Sequence, residues 1–332
     1  MHQLAVDEAV LYPIGSKIIQ RDFYVDDLIT GAHTIEEVKE IVKQTSELLG
    51  KGNFKIRKWC SNKPQVLSNV PDTDKEKLIK FDDGSVLTKT LGLQWNPEAD
   101  IFIFSFTPRQ NNRKITKRSV LSIIAQLDDP LGLIGPVVCK AKIFLQRLWV
   151  EKIDWDESLP MTYQTAWLQI YDEFSSIGNM TFPRYVGLPK SSLELHAFCD
   201  ASLSAYGTCI YVVSRLGGHA HSTLLCSKSR VAPLKTVTVP KLELCAAALL
   251  ALVIQSICNL RIFNCRFFCW SDSTTVLSWI KEEPSRFNIF VANRITSIQH
   301  LTNGMEWRIY MPDLKHYLLQ YDNNIGPWEE KR

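Results

Sequence analysis

The sequence predicts a chain of α/β and α+β character in which a mixed five-stranded sheet with helices follows a partial α+β unit and a helical segment. Three observations carry that expectation. Leu193–Cys199, Tyr206–Ser214 and Thr223–Arg230 read as three strands joined by short turns, which favours antiparallel neighbours. An Ala-rich stretch opened by Pro240 and running to about Cys258 reads as a helix, since the missing N–H of proline costs nothing at a helix start. Arg266–Ser271 then reads as a buried strand, Thr274–Lys281 and Phe287–Gln299 as helices, and Met305–Tyr310 as a last strand. Three antiparallel strands, a helix, then a strand and a helix describe a mixed sheet with helices packed on it.

The elements before that sheet follow in order. In Arg21–Gly31, apolar residues flank Asp26 and Asp27, the pattern of a β-hairpin with acids at its turn. Thr34 to Leu49 has helical periodicity, with Thr34 placed to cap, Glu37 three residues on, and Gly50 and Gly52 as stops. Asn53–Cys60 and Ile101–Phe106 alternate as strands. Residues 115–150 form an apolar-rich helical region broken by the turn Asp128-Asp129-Pro130-Leu131-Gly132. A connector through Trp155, Trp167 and Pro183 delivers the chain to the sheet near Ser192. The expected domains are 1–108, 109–190 and 191–311, with a divergent tail at 312–332.

At 332 residues, 45% hydrophobic and 22% charged, the chain has room for two or three globular units and is no disordered polymer. A net charge of +3 announces no global attraction to nucleic acid. Between Thr107 and Lys152, however, nine basic residues, among them Arg113, Lys114, Lys117 and Arg118, face only Asp128, Asp129 and Glu151. Such a surface neutralises phosphates or is simply a solvated face. The nine cysteines are scattered without a CxxC pair, which excludes a zinc ribbon and a secreted disulfide framework and suits free thiols. The N-terminus lacks the basic-then-apolar order of a signal peptide, and no stretch is read as a span of roughly 20 apolar residues. A soluble intracellular protein, cytoplasmic or nuclear and away from membranes, is expected.

Three acids stand where chemistry would need them. Asp200 ends the first strand of the sheet, Glu243 lies in the first turn of the Ala-rich helix, and Asp272 ends the strand Cys269-Trp270-Ser271. An acid closing an apolar strand is costly unless compensated, and converging carboxylates suit Mg2+ or Mn2+. Two such ions would clamp a phosphodiester. Taken singly, each acid is equally a cap or turn residue, Asp272 as an N-cap and Glu243 as a dipole-favoured acid.

The segments DASLSAYGTCIYV (200–212), LLCSKSRVAPLKTVTVPKLELCAA (224–247), WSDSTTVLSWI (270–280) and PSRFNIFVANRITSIQ (284–299) resemble the ribonuclease H region of BEL/Pao-type long-terminal-repeat retrotransposons. Upstream, FYVDDLITGA (23–32) resembles their reverse-transcriptase motif, and GNFKIRKWCSN (52–62) and TLGLQWNPEAD (90–100) the sequence after it. TKRSVLSIIAQLDDPLGLIGPV (116–137) resembles the segment joining polymerase to nuclease. The resemblance spans roughly 1–309 and implies a reverse-transcriptase palm and thumb remnant, a helical connection and a ribonuclease H-like domain. It implies Asp200, Glu243 and Asp272 as Mg2+ or Mn2+ ligands for cleavage of an RNA–DNA hybrid, and Asp26 and Asp27 as polymerase metal ligands. Arg113, Lys114, Lys117, Arg118, Lys228 and Arg230 are the candidate nucleic-acid contacts, and other parts of a retroelement polyprotein are further partners.

The chain departs from the family pattern in three places. A further polymerase aspartate and the fingers would precede Met1, so no polymerase activity is expected. The family's Asn-Pro-Ala-Asp stretch, source of a fourth nuclease carboxylate, has no clear match; Asp313 after Pro312 is a weak stand-in, and His316 a weak product-release histidine. Asp128 stands where relatives carry an apolar aromatic. Impaired hydrolysis with retained binding is therefore expected. Two rivals stand beside it. One is a Pao-type aspartic peptidase, although Asp200-Ala201-Ser202 and Asp272-Ser273-Thr274 lack the glycine such turns use. The other is a non-catalytic nucleic-acid-binding fragment.

Overall fold

The computed structural model describes the chain except residues 77–78, 81–85, 91–92, 105, 107–113, 189–190 and 311–332. It divides into two compact units, Met1–Phe104 and Ser105–Arg332. The expected connection at 109–190 thus shares one unit with the sheet that follows it. Asp313, His316 and the expected tail lie outside the described residues, as does Arg113.

The first unit starts with α1 (His2–Asp7) and α2 (Pro13–Arg21), followed by the hairpin β1 (Phe23–Tyr24) and β2 (Asp27–Leu28) and by α3 (Ile35–Lys51). Ala5, Ile19, Leu48 and Leu49 are the buried contact among the three helices. The Thr34 side chain accepts from the Glu37 N–H and the Glu37 carboxylate accepts from the Thr34 N–H, the reciprocal cap the sequence anticipates. The helix runs on through Gly50 to a C-cap at Gly52. Asn53–Cys60 is not a strand: Asn53 and Lys58 have φ near +59°, which breaks an extended ladder, and only Trp59 makes an isolated bridge, to Lys75. Strands β3 (Ile79–Lys80), β4 (Val86–Thr90), β5 (Leu93–Asn96) and β6 (Ile101–Ile103) follow as an antiparallel meander.

The second unit opens with α4 (Lys117–Ile124), α5 (Gly135–Val150) and α6 (Met161–Glu173). Trp167 is buried, stacked on Phe144 at 5.5 Å, so the tryptophan-rich connector is a packed helix. After the short strand β7 (Thr181–Pro183) come β8 (Ser192–Ala201), β9 (Ala205–Leu216) and β10 (His219–Val231), then α7 (Val239–Leu260), β11 (Arg266–Ser271), α8 (Thr274–Lys281), α9 (Ile289–Leu301) and β12 (Glu306–Ile309). The sheet order is β10-β9-β8-β11-β12, antiparallel among β8–β10 and parallel across β8, β11 and β12.

Alternation assigns the faces. Leu195, Ala197, Cys199, Ile210 and Val212 meet Ala247, Leu250 and Ile254 of α7. Phe198, Phe268, Trp270 and Tyr310 form a second cluster on the other face. At 22 residues α7 is long and apolar enough to cross a membrane by length and composition, contrary to the sequence reading. Half of it is buried against this sheet, the behaviour of a core helix.

The turn at 128–132 docks on the edge strand β10. Ser227 N–H donates to the Leu131 carbonyl at 2.8 Å, and the Ser227 hydroxyl donates to the Gly132 carbonyl. The Asp129 carboxylate accepts from the N–H groups of Leu133 and Ile134 at the entry to α5. Burial pushes that carboxyl above its ordinary range, and the amide donors only partly offset it. Asp128 is exposed, so an acid there disturbs no packing.

Candidate active site

Strand β8 runs toward Asp200 and β11 toward Asp272, with Cys199 paired to Ser271 in the parallel register. The two aspartates therefore stand at the same end of adjacent central strands, and both are exposed. Asp200 Oδ1 also accepts from the N–H of Ala201 at 2.6 Å. Tyr310, which follows β12 and donates its N–H to the Ser271 carbonyl, feels the charge of both. Burial, then the charges of Asp200 and Asp272, push its phenol far above the ordinary range, so Tyr310 keeps its proton as a donor beside two carboxylates.

Glu243 reaches the same end by another route. β10 finishes there, since Val231 pairs with Ala205, and eight residues later α7 begins. The helix starts at Val239, one residue earlier than Pro240 suggests, so Glu243 stands just beyond the first turn, which carries no acid. It lies one turn before Ala247, on the stripe Ala247, Leu250 and Ile254 that faces the sheet, and is half-buried. Asp200 has the strand parity of Phe198, on the face away from α7. Among the described residues, no group of three or more His, Cys, Asp or Glu is assembled that could hold a metal ion. Asp272 is not the helix cap; Ser273 is, accepting from the Val276 N–H at 3.2 Å.

Residues 116–273 match the family described as Pao retrotransposon-like RNaseH-like domain. That segment is similar to this family. A comparison with curated proteins finds no match. Among solved structures, a foamy viral protease-reverse transcriptase in complex with double-stranded DNA aligns with 93% of this chain at 14% identity and TM-score 0.48. The chain spans 49% of that protein's length. Ribonuclease H1 from the halophilic archaeon Halobacterium salinarum NRC-1 aligns with 37% of this chain and 89% of its own, at 13% identity and TM-score 0.24. LC11-RNase H1 in complex with an RNA/DNA hybrid aligns with 37% and 88%, at 10% identity and TM-score 0.26.

The structure sorts the basic candidates into two groups. Lys228 and Arg230 are exposed near the end of β10, at the end of the sheet that carries Asp200. Lys114 is exposed before α4. Lys117 is not a surface cation: it is buried, with its ammonium 4.6 Å from the Trp149 ring centre and 5.4 Å from that of Trp155. Arg118 is exposed but held by Asp156 through two bonds, at 2.7 and 2.9 Å. Asp26 and Asp27 are exposed on the hairpin of the first unit, Asp26 in the turn and Asp27 paired with Tyr24.

Sequence reasoning missed Tyr310 and the aromatic face behind Asp200. The signal was present: within His196–Asp200, even-numbered residues alternate against the apolar odd ones, which marks two faces rather than one.

Proposed function

We propose that the second unit is a ribonuclease H-like domain that binds nucleic acid and hydrolyses the RNA of an RNA–DNA hybrid weakly, with Mg2+ or Mn2+. The carrying observation is the placement of Asp200 and Asp272 at the ends of adjacent parallel strands, both acting on Tyr310. Two exposed carboxylates are a donor set that suits Mg2+, which takes one or two protein carboxylates and completes its shell with water and substrate phosphate. Asp200 and Asp272 would hold such an ion, which would polarise the phosphate and activate a water. Glu243, on the inward stripe of α7, would complete the site by reaching round the end of the sheet. Tyr310 would donate to a carboxylate or a phosphate oxygen, and Lys228, Arg230 and Lys114 would face the backbone phosphates. The first unit is proposed as part of a reverse-transcriptase palm, with Asp26 and Asp27 among the ligands of its metal site. An intracellular setting, cytoplasmic or nuclear, suits the nine free cysteines.

The test is incubation of a labelled hybrid with the protein and Mg2+ or Mn2+, beside an Asp272→Asn variant. Cleavage that the substitution abolishes supports the reading; equal traces for both proteins sink it.

A second reading, binding without hydrolysis, is favoured by the lack of a three-acid group among the described residues. It predicts hybrid binding that weakens steeply with salt, with no product at any metal concentration. A peptidase is disfavoured, because Ser273 serves as the cap of α8 rather than part of a mobile turn.

A further inference from the structure

A cavity of about 420 Å³ lies between α5 and the sheet face that α7 leaves uncovered. One wall is aromatic: Phe198 stands edge-on to Tyr211 and Tyr310, with ring centres 6.1 and 5.8 Å away. The opposite wall is the start of α5 at Gly135, Pro136 and Cys139. The floor is bare backbone at Gly207, the cross-strand partner of Asp200. A Cβ on Gly207 would meet nothing nearer than 3.4 Å, so local packing does not demand glycine there. Its missing side chain keeps the space beside Asp200 open.

We propose that this cavity seats one unpaired base of the nucleic acid on which the domain acts, an inference that rests on the function proposed above. The aromatic rings supply flat apolar surface for a base face, and stacking of this kind is indifferent to base identity. The Asp200 carboxylate at the rim accepts from exocyclic amines and ring N–H groups, and Lys228, also bordering the cavity, takes the adjoining phosphate. The volume falls within the roughly 300–1,000 Å³ of small-ligand pockets. A paired base has both faces stacked and its edge occupied, so only an unpaired one can enter. The domain would thereby favour hybrids with a frayed or overhanging end close to the acids.

The test uses the full chain in EDTA, so that hydrolysis plays no part, and fluorescence anisotropy on three labelled hybrids. One is fully paired, one carries a short single-stranded overhang, and one carries the same overhang with abasic sites. The overhang should bind about tenfold more tightly than the paired end, and the abasic overhang should lose that advantage. Gly207→Leu, which fills the floor, and Tyr211→Ala, which removes a wall, should each erase the preference while leaving the paired hybrid bound as before. Equal affinity of the unaltered protein for all three hybrids overturns the proposal, as does a preference that survives both substitutions. In those cases paired-hybrid binding leaves the nuclease reading standing, whereas failure to bind any hybrid overturns both.

Discussion

Gly132 lies so close to Ser227 that a Cβ on it would stand 2.0 Å from the Ser227 carbonyl oxygen. The connector turn is thereby pressed onto β10, the strand that ends the sheet. An exposed edge strand invites pairing with other chains, and a turn bonded at Ser227 covers part of that edge. The contact also brings the start of α5 over the face that carries Asp200.

Gly132→Ala should therefore destabilise the second unit. Gly132 has φ of +73°, so the substitution meets both backbone strain and a clash with main-chain atoms that cannot rotate away. A loss of about 2–3 kcal/mol is expected, within the range of severe single substitutions. Urea unfolding measures it, and an unchanged midpoint would mean that the turn does not dock as described.

Divalent cations should stabilise the protein through Asp200 and Asp272. A ligand that binds only the folded state at a hundred times its Kd adds about 2.7 kcal/mol. Thermal unfolding with and without Mn2+ should show an upward shift in the unaltered chain. Asp200→Asn should lose the shift while folding normally, because its exposed carboxylate holds no core contact. A shift that persists in Asp200→Asn would place the bound ion elsewhere.

The two groups of basic residues should separate in salt titrations. Lys228→Ala should weaken hybrid binding and lower the salt slope by about one, as for a single phosphate contact. Lys117→Ala should leave binding and slope alone but cost about 1 kcal/mol of stability, since its ammonium packs against two tryptophan rings. Reversal of these outcomes would return Lys117 to the nucleic-acid surface.

Acid should weaken the sheet through His196 and Glu194. His196 is buried, accepts from the Trp270 indole N–H at 3.2 Å, and has Nε2 3.5 Å from Glu194 Oε2. Burial pulls His196 below its ordinary value of 6.5 and outweighs the attraction of Glu194. The unfolded chain then takes up the proton first, so stability falls as pH drops below about 6.5. Burial raises Glu194, but Arg215 and His196 hold it below its ordinary 4.5 in sum. Its contribution is present above that value and is lost as pH falls through the folded pKa. His196→Gln, which keeps an acceptor for Trp270, should flatten the upper window and Glu194→Gln the lower one. Urea midpoints at a series of pH values decide it; a flat profile in the unaltered chain contradicts both assignments.

Much of the fold was legible because it is periodic. The strands at 193–230 and 266–271, the helix after Pro240 and the Thr34–Glu37 cap come from local alternation, a proline rule and a side-chain reach of one turn. Asn53–Cys60 misled because alternation is silent about φ, and two residues there adopt left-handed backbone. Lys117 misled because charge in sequence says nothing about which rings will surround it.

By itself the sequence determined the order of strands and helices and the chemistry available at their ends, since both depend on neighbours along the chain. Only the tertiary structure decided which acids share a field, which lysine is buried and that an aromatic cavity opens beside Asp200. Those depend on strand parity and on the docking of the turn at Gly132 against Ser227, nearly a hundred positions away, a distance that no local pattern encodes.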